Sequence, residues 1–248
     1  VIMRKILVCS AKGGTGKTVT VKFVTQQINK ICQEKNIPVK IIYLNCKLKK
    51  VADTEYRLIA QLAREFGKAI PSTGLPTDEV YNAFYSAIDQ RKQQILFILD
   101  EIDQLVNKIG NEILYNLTRM NTELNNAQVS LIGISNDVIF ADSLDPRVKS
   151  SLSEEEIIFP PYNALQIQDI LRKRSAKAFK DEAIQPGVIE KCAAFAAREH
   201  GDARRAIDLL RVAGEIAERN GSMIVTITHL DEAEKKVEID KIIYSVTQ

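Results

Sequence analysis

Tryptophan is absent, histidine occurs only as His200 and His229, and the four cysteines Cys9, Cys32, Cys46 and Cys192 share no metal-ligand spacing. Neither histidine lies near a cysteine, so a His/Cys metal centre is not expected. Three of the thiols sit in apolar strand or helix patterns, where a reduced, buried side chain is the ordinary state. Long apolar runs are also lacking. The longest, residues 95–99 and 129–134, fall far short of the roughly 20 residues that cross a bilayer. No charged-then-apolar leader opens the chain, because Arg4 and Lys5 run straight into a short strand pattern and a glycine loop. The chain reads as cytoplasmic. Nor is there an excess of one charge: the net value of +2 neither demands nor excludes a nucleic-acid partner. What remains is an ordinary globular composition, long enough for one large domain or two small ones.

Short β-rich runs alternate with helical spacing through residues 1–160, the pattern of a parallel sheet with crossover helices. Strands are predicted at Lys5–Cys9, Val39–Asn45, 95–100, 129–135 and 156–159. Their near-continuous Ile, Val and Leu content suits a sheet covered on both faces. Helices are predicted at Lys17–Glu34, 54–66, 78–90 and 112–124. Pro160 and Pro161 cannot continue a strand ladder, so they mark a connector. Beyond them only helices are predicted, at 164–179, 188–200, 202–220 and 230–237, the last capped by Thr228. The expected organisation is an α/β nucleotide-binding domain over 1–160 and a helical lid over 161–248.

Between the first strand and the first helix stands Ala11-Lys12-Gly13-Gly14-Thr15-Gly16-Lys17-Thr18. The glycines let backbone N–H groups turn inward around phosphate oxygens, and the helix N-terminus adds positive partial charge. Lys17 is placed to reach the β- and γ-phosphates of ATP, and the Thr18 hydroxyl to hold Mg²⁺. Ala11 stands where the usual pattern opens with glycine. The same run also resembles the loop of partition ATPases of the ParA/MinD type, which use an extra lysine, here Lys12, across a dimer interface. Those proteins carry an aspartate-rich switch after the second strand. Here Leu44-Asn45-Cys46-Lys47 follows, with no aspartate before Asp53.

The strand at 95–100 ends in Asp100-Glu101. Beside a phosphate loop, Asp100 is a candidate to hold Mg²⁺ through water and Glu101 to polarise the attacking water. The strand at 129–135 leads to Asn136, whose amide can position water or touch the γ-phosphate. In Asp145-Pro146-Arg147-Val148-Lys149-Ser150, Arg147 can reach a neighbouring subunit's γ-phosphate or pair with Asp145 on the surface. His200-Gly201-Asp202-Ala203-Arg204-Arg205 opens a lid helix. Arg204 is the expected sensor of phosphate state there, with an ion pair to Asp208 as its alternative.

In chain order, four motifs resemble the archaeal origin-recognition initiators of the Orc/Cdc type, a branch of the AAA+ ATPases. They are Leu99-Asp100-Glu101-Ile102-Asp103, Ile132-Gly133-Ile134-Ser135-Asn136-Asp137, Leu144-Asp145-Pro146-Arg147-Val148-Lys149-Ser150-Ser151-Leu152 and Gly201-Asp202-Ala203-Arg204-Arg205-Ala206. Tyr115-Asn116-Leu117-Thr118-Arg119 looks similar as well. The resemblance implies a P-loop αβα sandwich with a five-stranded parallel sheet and a small helical lid. It further implies an ATP/ADP switch with Mg²⁺ and slow hydrolysis, with Asn136, Arg147 and Arg204 in the sensor and finger roles. The implied partners are double-stranded origin DNA, the replicative helicase and related initiator subunits. The family's helical insertion between the second and third strands presses on DNA, and its tip falls here on Ser72, Thr73, Gly74, Leu75 and Pro76. Lys47, Lys49 and Lys50 stand nearby. Tyr162 and Ile170, just past the connector, are placed to line an adenine pocket. Family members also have residues before the first strand and a winged helix at the end, so the chain reads as the AAA+ core alone. A clamp-loader subunit shares the Gly-Asp-x-Arg lid motif but uses a Ser-Arg-Cys finger, which is absent here.

Overall fold

The structure, a computed structural model, describes residues 5–11, 13–47, 53–71, 73–152, 155–199 and 201–246, with side chains to residue 239. Lys12, Lys49, Lys50, Ser72 and His200 lie outside the described residues. The chain folds as two compact units, Val1–Ala11 with Lys17–Phe159, and Lys12–Gly16 with Pro160–Gln248.

In the first unit, strands β1 (Lys5–Cys9), β2 (Val39–Asn45), β3 (Gln93–Asp100), β4 (Ala127–Ser135) and β5 (Glu155–Ile158) form one parallel sheet in the order β2-β3-β4-β1-β5. The period-two alternation of a strand divides β3 between two cores. Ile95, Phe97 and Leu99 join Leu58, Leu62, Phe84, Ile88, Leu105 and Leu117 on one face, while Ile98 joins Val8, Val21 and Ile134 on the other. The helices are α1 (Lys17–Glu34), α2 (Glu55–Glu65), α3 (Thr77–Ile88), α4 (Ile102–Ile109), α5 (Glu112–Arg119), α6 (Phe140–Ser143) and α7 (Pro146–Leu152). Thr54 starts α2 by accepting from the Arg57 N–H at 3.3 Å. Helices as short as α4 and α5 do not persist alone in water. Buried Leu105, Ile113, Leu114 and Leu117 hold them, each such side chain contributing roughly 1.5–3 kcal/mol relative to exposure.

In the second unit, α8 (Ala164–Ala178), α9 (Val188–Glu199), α10 (Ala203–Arg219) and α11 (Ile227–Val246) enclose Ile167, Leu171, Val188, Cys192, Leu209, Ala213 and Leu230. Asn163 and Gln166 form a reciprocal capping box at the start of α8, with bonds of 2.9 and 3.0 Å.

Several elements depart from the sequence expectation. The helix expected at 112–124 ends at Arg119 and tightens into a 3₁₀ turn over Met120–Thr122. Thr228 is not a cap, because α11 already begins at Ile227. Thr226 precedes it, with its N–H donating to His229 Nδ1 at 3.2 Å. Helices α4, α6 and α7 were not expected. Among the described residues, no helix is long and apolar enough to cross a membrane.

Candidate functional site

Parallel pairing brings the C-terminal ends of three strands level, with Cys9 opposite Ser135 and Asp100 opposite Ile134. In open α/β sheets this edge is where ligands bind. Lys17 opens α1 at 5% exposure, and its Nζ donates to Asn136 Oδ1 at 2.9 Å. The Thr18 hydroxyl faces both Asp100 oxygens, at 3.1 and 3.3 Å. Tyr43, from β2, donates its hydroxyl to the same carboxylate. Burial first, then the bond to Asp100 and its negative charge, push the Tyr43 phenol up, so it remains a donor at any ordinary pH.

Glu101 follows in the left-handed region at φ 58°, ψ 48°. A non-glycine residue held there costs on the order of 1–3 kcal/mol and clusters at functional turns. Its N–H donates to Asp100 Oδ1 at 3.1 Å, and its carboxylate lies 3.8 Å from the Lys47 ammonium. Lys47 is therefore drawn towards Glu101. Asp103 accepts from Ser135 Oγ at 3.2 Å, and that oxygen accepts from the Asp137 N–H at 2.9 Å. The chain of bonds clamps the turn that carries Asn136.

Arg147 is on the surface, its side chain 73% exposed, with Nε and Nη2 donating to Asp145 at 3.1 and 3.2 Å. These bonds hold the Asp145 carboxyl below its usual range. The structure thus contains the surface pairing that the sequence left open for Arg147. Thr73, Gly74, Leu75 and Pro76 are all exposed between α2 and α3. The base of that tip is braced by Tyr56, which donates to the Pro71 carbonyl at 2.8 Å, and by Arg64, which donates to the Ile70 carbonyl at 3.2 Å.

In the second unit, Gly14 and Gly16 take φ of 74° and 83°, a conformation open to glycine at little cost. A Cβ on Gly14 would strike the Asp202 carboxylate, and one on Gly16 the Tyr162 hydroxyl. Asp202 caps α10 by accepting from the Arg204 N–H at 2.7 Å, and the Ala203 N–H donates to the Gly14 carbonyl at 3.3 Å. Arg205 is tied to Glu199 at 2.9 Å, and Asp208 pairs with Arg211. The Arg204 guanidinium is exposed and has no ion pair among the described residues. Ile170 is half-buried on α8, and the atoms nearest the glycine turn come from Asp202 and Tyr162 instead.

Taken unit by unit, the donor sets suit phosphate on one and a divalent metal on the other. Among the described residues Thr15 Oγ1 is buried without a hydrogen-bond partner, a state that costs roughly 1–3 kcal/mol unless a ligand or water satisfies it. Thr18 and Asp100 offer the hard oxygens that Mg²⁺ accepts while it keeps waters and phosphate oxygens. Among the described residues no group of three or more His, Cys, Asp or Glu is arranged to hold a metal ion by itself. Cys9, Cys46 and Cys192 are buried, and burial with the Asp100 charge pushes the Cys46 thiol up to about 12. Sequence reasoning missed Tyr43, the Asp103–Ser135 clamp and the packing of Asp202 on Gly14. Tyr43 offered one signal, a hydroxyl near the end of an otherwise apolar strand.

The family model for the AAA domain matches residues 3–137, and that for the Cdc6 AAA+ ATPase-type lid domain matches 168–235. An ORC1-type DNA replication protein of Thermococcus onnurineus is 55% identical over 233 residues, 92% of this chain and 55% of that protein. The solved structure of the Aeropyrum pernix ORC1 protein in complex with DNA matches with a TM-score of 0.83 at 41% identity. It covers 98% of this chain and 61% of that one. The Aeropyrum pernix ORC2 protein, solved as ADPNP–ADP complexes, matches at 22% identity with a TM-score of 0.79 over 95% of this chain and 62% of that one, a likeness of fold alone. The chain spans a little over half the length of the relatives it matches.

Proposed function

Because this chain belongs to the AAA+ ATPases of the Orc/Cdc6 type, we propose that it is the ATP-switched core of a DNA replication initiator. The observation that carries this reading is the paired arrangement at the strand ends, Lys17 on Asn136 and Thr18 on Asp100. In the proposed reaction Lys17 and the backbone of residues 11–16 hold the phosphates, while Thr18 and Asp100 hold Mg²⁺. The bound metal supplies charge neutralisation on the phosphate oxygens. Glu101 accepts a proton from the attacking water, and Asn136 orients that water against the γ-phosphate. Arg204 reports phosphate state from within the lid, since Arg205 is already committed to Glu199. Tyr162, over Gly16, and Ile170 flank the nucleotide base. Hydrolysis is slow and acts as a switch on DNA grip and on loading of the replicative helicase. Residues 1–160 and 161–248 are its nucleotide-binding and lid divisions.

The DNA contact is assigned to the exposed tip at Thr73, Gly74, Leu75 and Pro76, with Ser72. Two features support it, the likeness to an ORC1 protein solved with DNA and the exposure of an apolar Leu75 at 37%. Contacts of this kind are dominated by phosphates and fall steeply with salt. Duplex binding is therefore expected to be weak, salt-steep, different between ATP and ADP, and reduced by Leu75→Asp. Equal binding with either nucleotide, unaffected by Leu75→Asp across a salt series, would remove the switch reading.

Arg147 is assigned to a neighbouring subunit's γ-phosphate, releasing Asp145 as it engages. Arg147→Ala should leave the ATP affinity of a dilute subunit unchanged and lower turnover only on assembly, by roughly three orders of magnitude or more. Mixtures of Glu101→Gln and Arg147→Ala subunits should recover part of the parent rate, because each supplies what the other lacks. No recovery under conditions where the parent assembles and turns over would contradict the trans role.

A further inference from the structure

Within the second unit, α8 and α10 turn one face each towards a groove of about 470 Å³. On α8 that face carries Leu171, Arg174 and Ala178, and on α10 Ile207, Arg211, Gly214 and Glu218, all at helical spacing. The two stretches that form the groove, residues 171–183 and 207–225, are described throughout. Its floor is apolar, with Leu171, Leu210 and Ala217 buried. Phe179, which closes α8, lies on the bare backbone of α10, since a Cβ on Gly214 would come within 2.8 Å of its ring. The Met223 side chain stands at the rim, 80% exposed. Three cations share that rim. Arg211 is already held by Asp208 and Glu215. Arg174 and Lys180 are exposed and have no ion pair among the described residues. Glu218 enters the lining, while Asp181 and Glu182 adjoin Lys180 along the chain without lining the groove.

An occupant of this groove has to bring apolar side chains for the floor and carboxylates for Arg174 and Lys180. An extended peptide gains its affinity by adding a strand to a free edge. The strand-like residue here, Val225, is already committed: its N–H donates to the Ala183 carbonyl at 2.8 Å, and its carbonyl accepts from the Gln185 N–H at 2.9 Å. A helix needs no such edge, only a trough for one apolar face, and an exposed methionine adapts to varied side chains. We propose that the groove between α8 and α10 docks an acidic amphipathic helix of a partner protein, its apolar face on Phe179 and Met223 and its carboxylates on Arg174 and Lys180. A nucleic-acid backbone is a poorer fit, because it leaves the apolar floor uncovered. Arg174 also lies near the C-terminal end of α8, where a cation favours the helix dipole. A role confined to that would register in stability and not in a preference for the sign of a peptide's charge.

The test labels the methionine methyl groups of the full chain with ¹³C. Met223 reports on the groove, and Met120, buried in the first unit, is the internal reference. The probe is a capped peptide helix of about five turns, with leucine along one face and glutamate along the other. The Met223 methyl signal should shift on titration while that of Met120 stays in place, and a scrambled peptide of the same composition should move neither. Affinity should fall about tenfold in the double variant Arg174→Glu, Lys180→Glu. That variant should instead gain binding of the peptide in which lysine replaces glutamate, and Arg174→Lys should keep the parent's preference. Thermal midpoints should stay level across these exposed substitutions. A Met223 signal that ignores the acidic peptide, or responds equally to the acidic, basic and scrambled ones, overturns the site. A shift produced by protein concentration alone would make a second copy the occupant, and one produced by a short duplex would make it nucleic acid. Either result overturns the assigned partner.

Discussion

Lys17→Ala is expected to abolish ATP binding while the protein stays folded. The ammonium is almost fully buried and already directed at Asn136, so it is held where a phosphate can replace the amide as its acceptor. Charge-assisted hydrogen bonds of this kind contribute on the order of 1.5–3 kcal/mol each, and bonds to two phosphates together correspond to roughly 10²- to 10⁴-fold in affinity. The fold should tolerate the loss. Lys17 is one of only three buried positions on α1, with Val21 and Thr25, and removing a buried charge also removes its desolvation cost. Among the bonds lost in the folded state is the one to Asn136 Oδ1. A titration with a fluorescent ATP analogue, alongside a thermal melt, separates the two effects. Nucleotide affinity within about threefold of the parent would remove the basis for the whole reading.

Glu101→Gln is expected to preserve ATP binding and stall hydrolysis. Glutamine has nearly the same shape but cannot take a proton from water, and loss of a general base costs typically 10²- to 10⁴-fold in rate. Secondary consequences should be small. Glutamine meets the same left-handed backbone as glutamate at φ 58°, so the substitution adds no new strain. The ion pair to Lys47 disappears, but it is 3.8 Å long and its lysine is 69% exposed, a class of pair that contributes at most about 1 kcal/mol. Single-turnover release of phosphate from pre-bound ATP is the measurement of choice, since it is blind to product release. A rate equal to the parent's would transfer the base role away from Glu101. A parallel loss of ATP affinity would instead mean that the turn after Asp100 had collapsed.

Much of this framework was legible along the chain. The sheet strands β1 and β2 and helix α1 match their predicted bounds, because unbroken Ile/Val/Leu runs and a glycine loop punctuate the chain strongly. β3 and β4 start earlier than their apolar runs suggest. Gln93 and Gln94 pair with Ala127 and Gln128, and the Gln94 and Gln128 amides bond at 2.9 Å. Cross-strand partners drew those polar residues into the ladder, and no single segment contains that information. α4 escaped notice because its eight residues follow directly on a strand, separated only by Glu101 in a conformation that glutamate rarely adopts.

The division within the candidate site follows the same physics. Lys17, Thr18, Asp100 and Asn136 were nameable because each sits at a set offset from a strand end or a helix start. Local sequence determines those offsets. Their convergence, Lys17 on Asn136 and Thr18 on Asp100, depends on β1 lying beside β4 with β3 next to it. Strand order is a choice among long-range pairings, and only the assembled sheet makes it. Tyr43 on Asp100, Asp103 on Ser135 and Asp202 against Gly14 join residues tens of positions apart or more. The two bonds, and the close approach of Asp202 to Gly14, come from packing that draws distant segments together and leaves polar groups shielded from water to find partners.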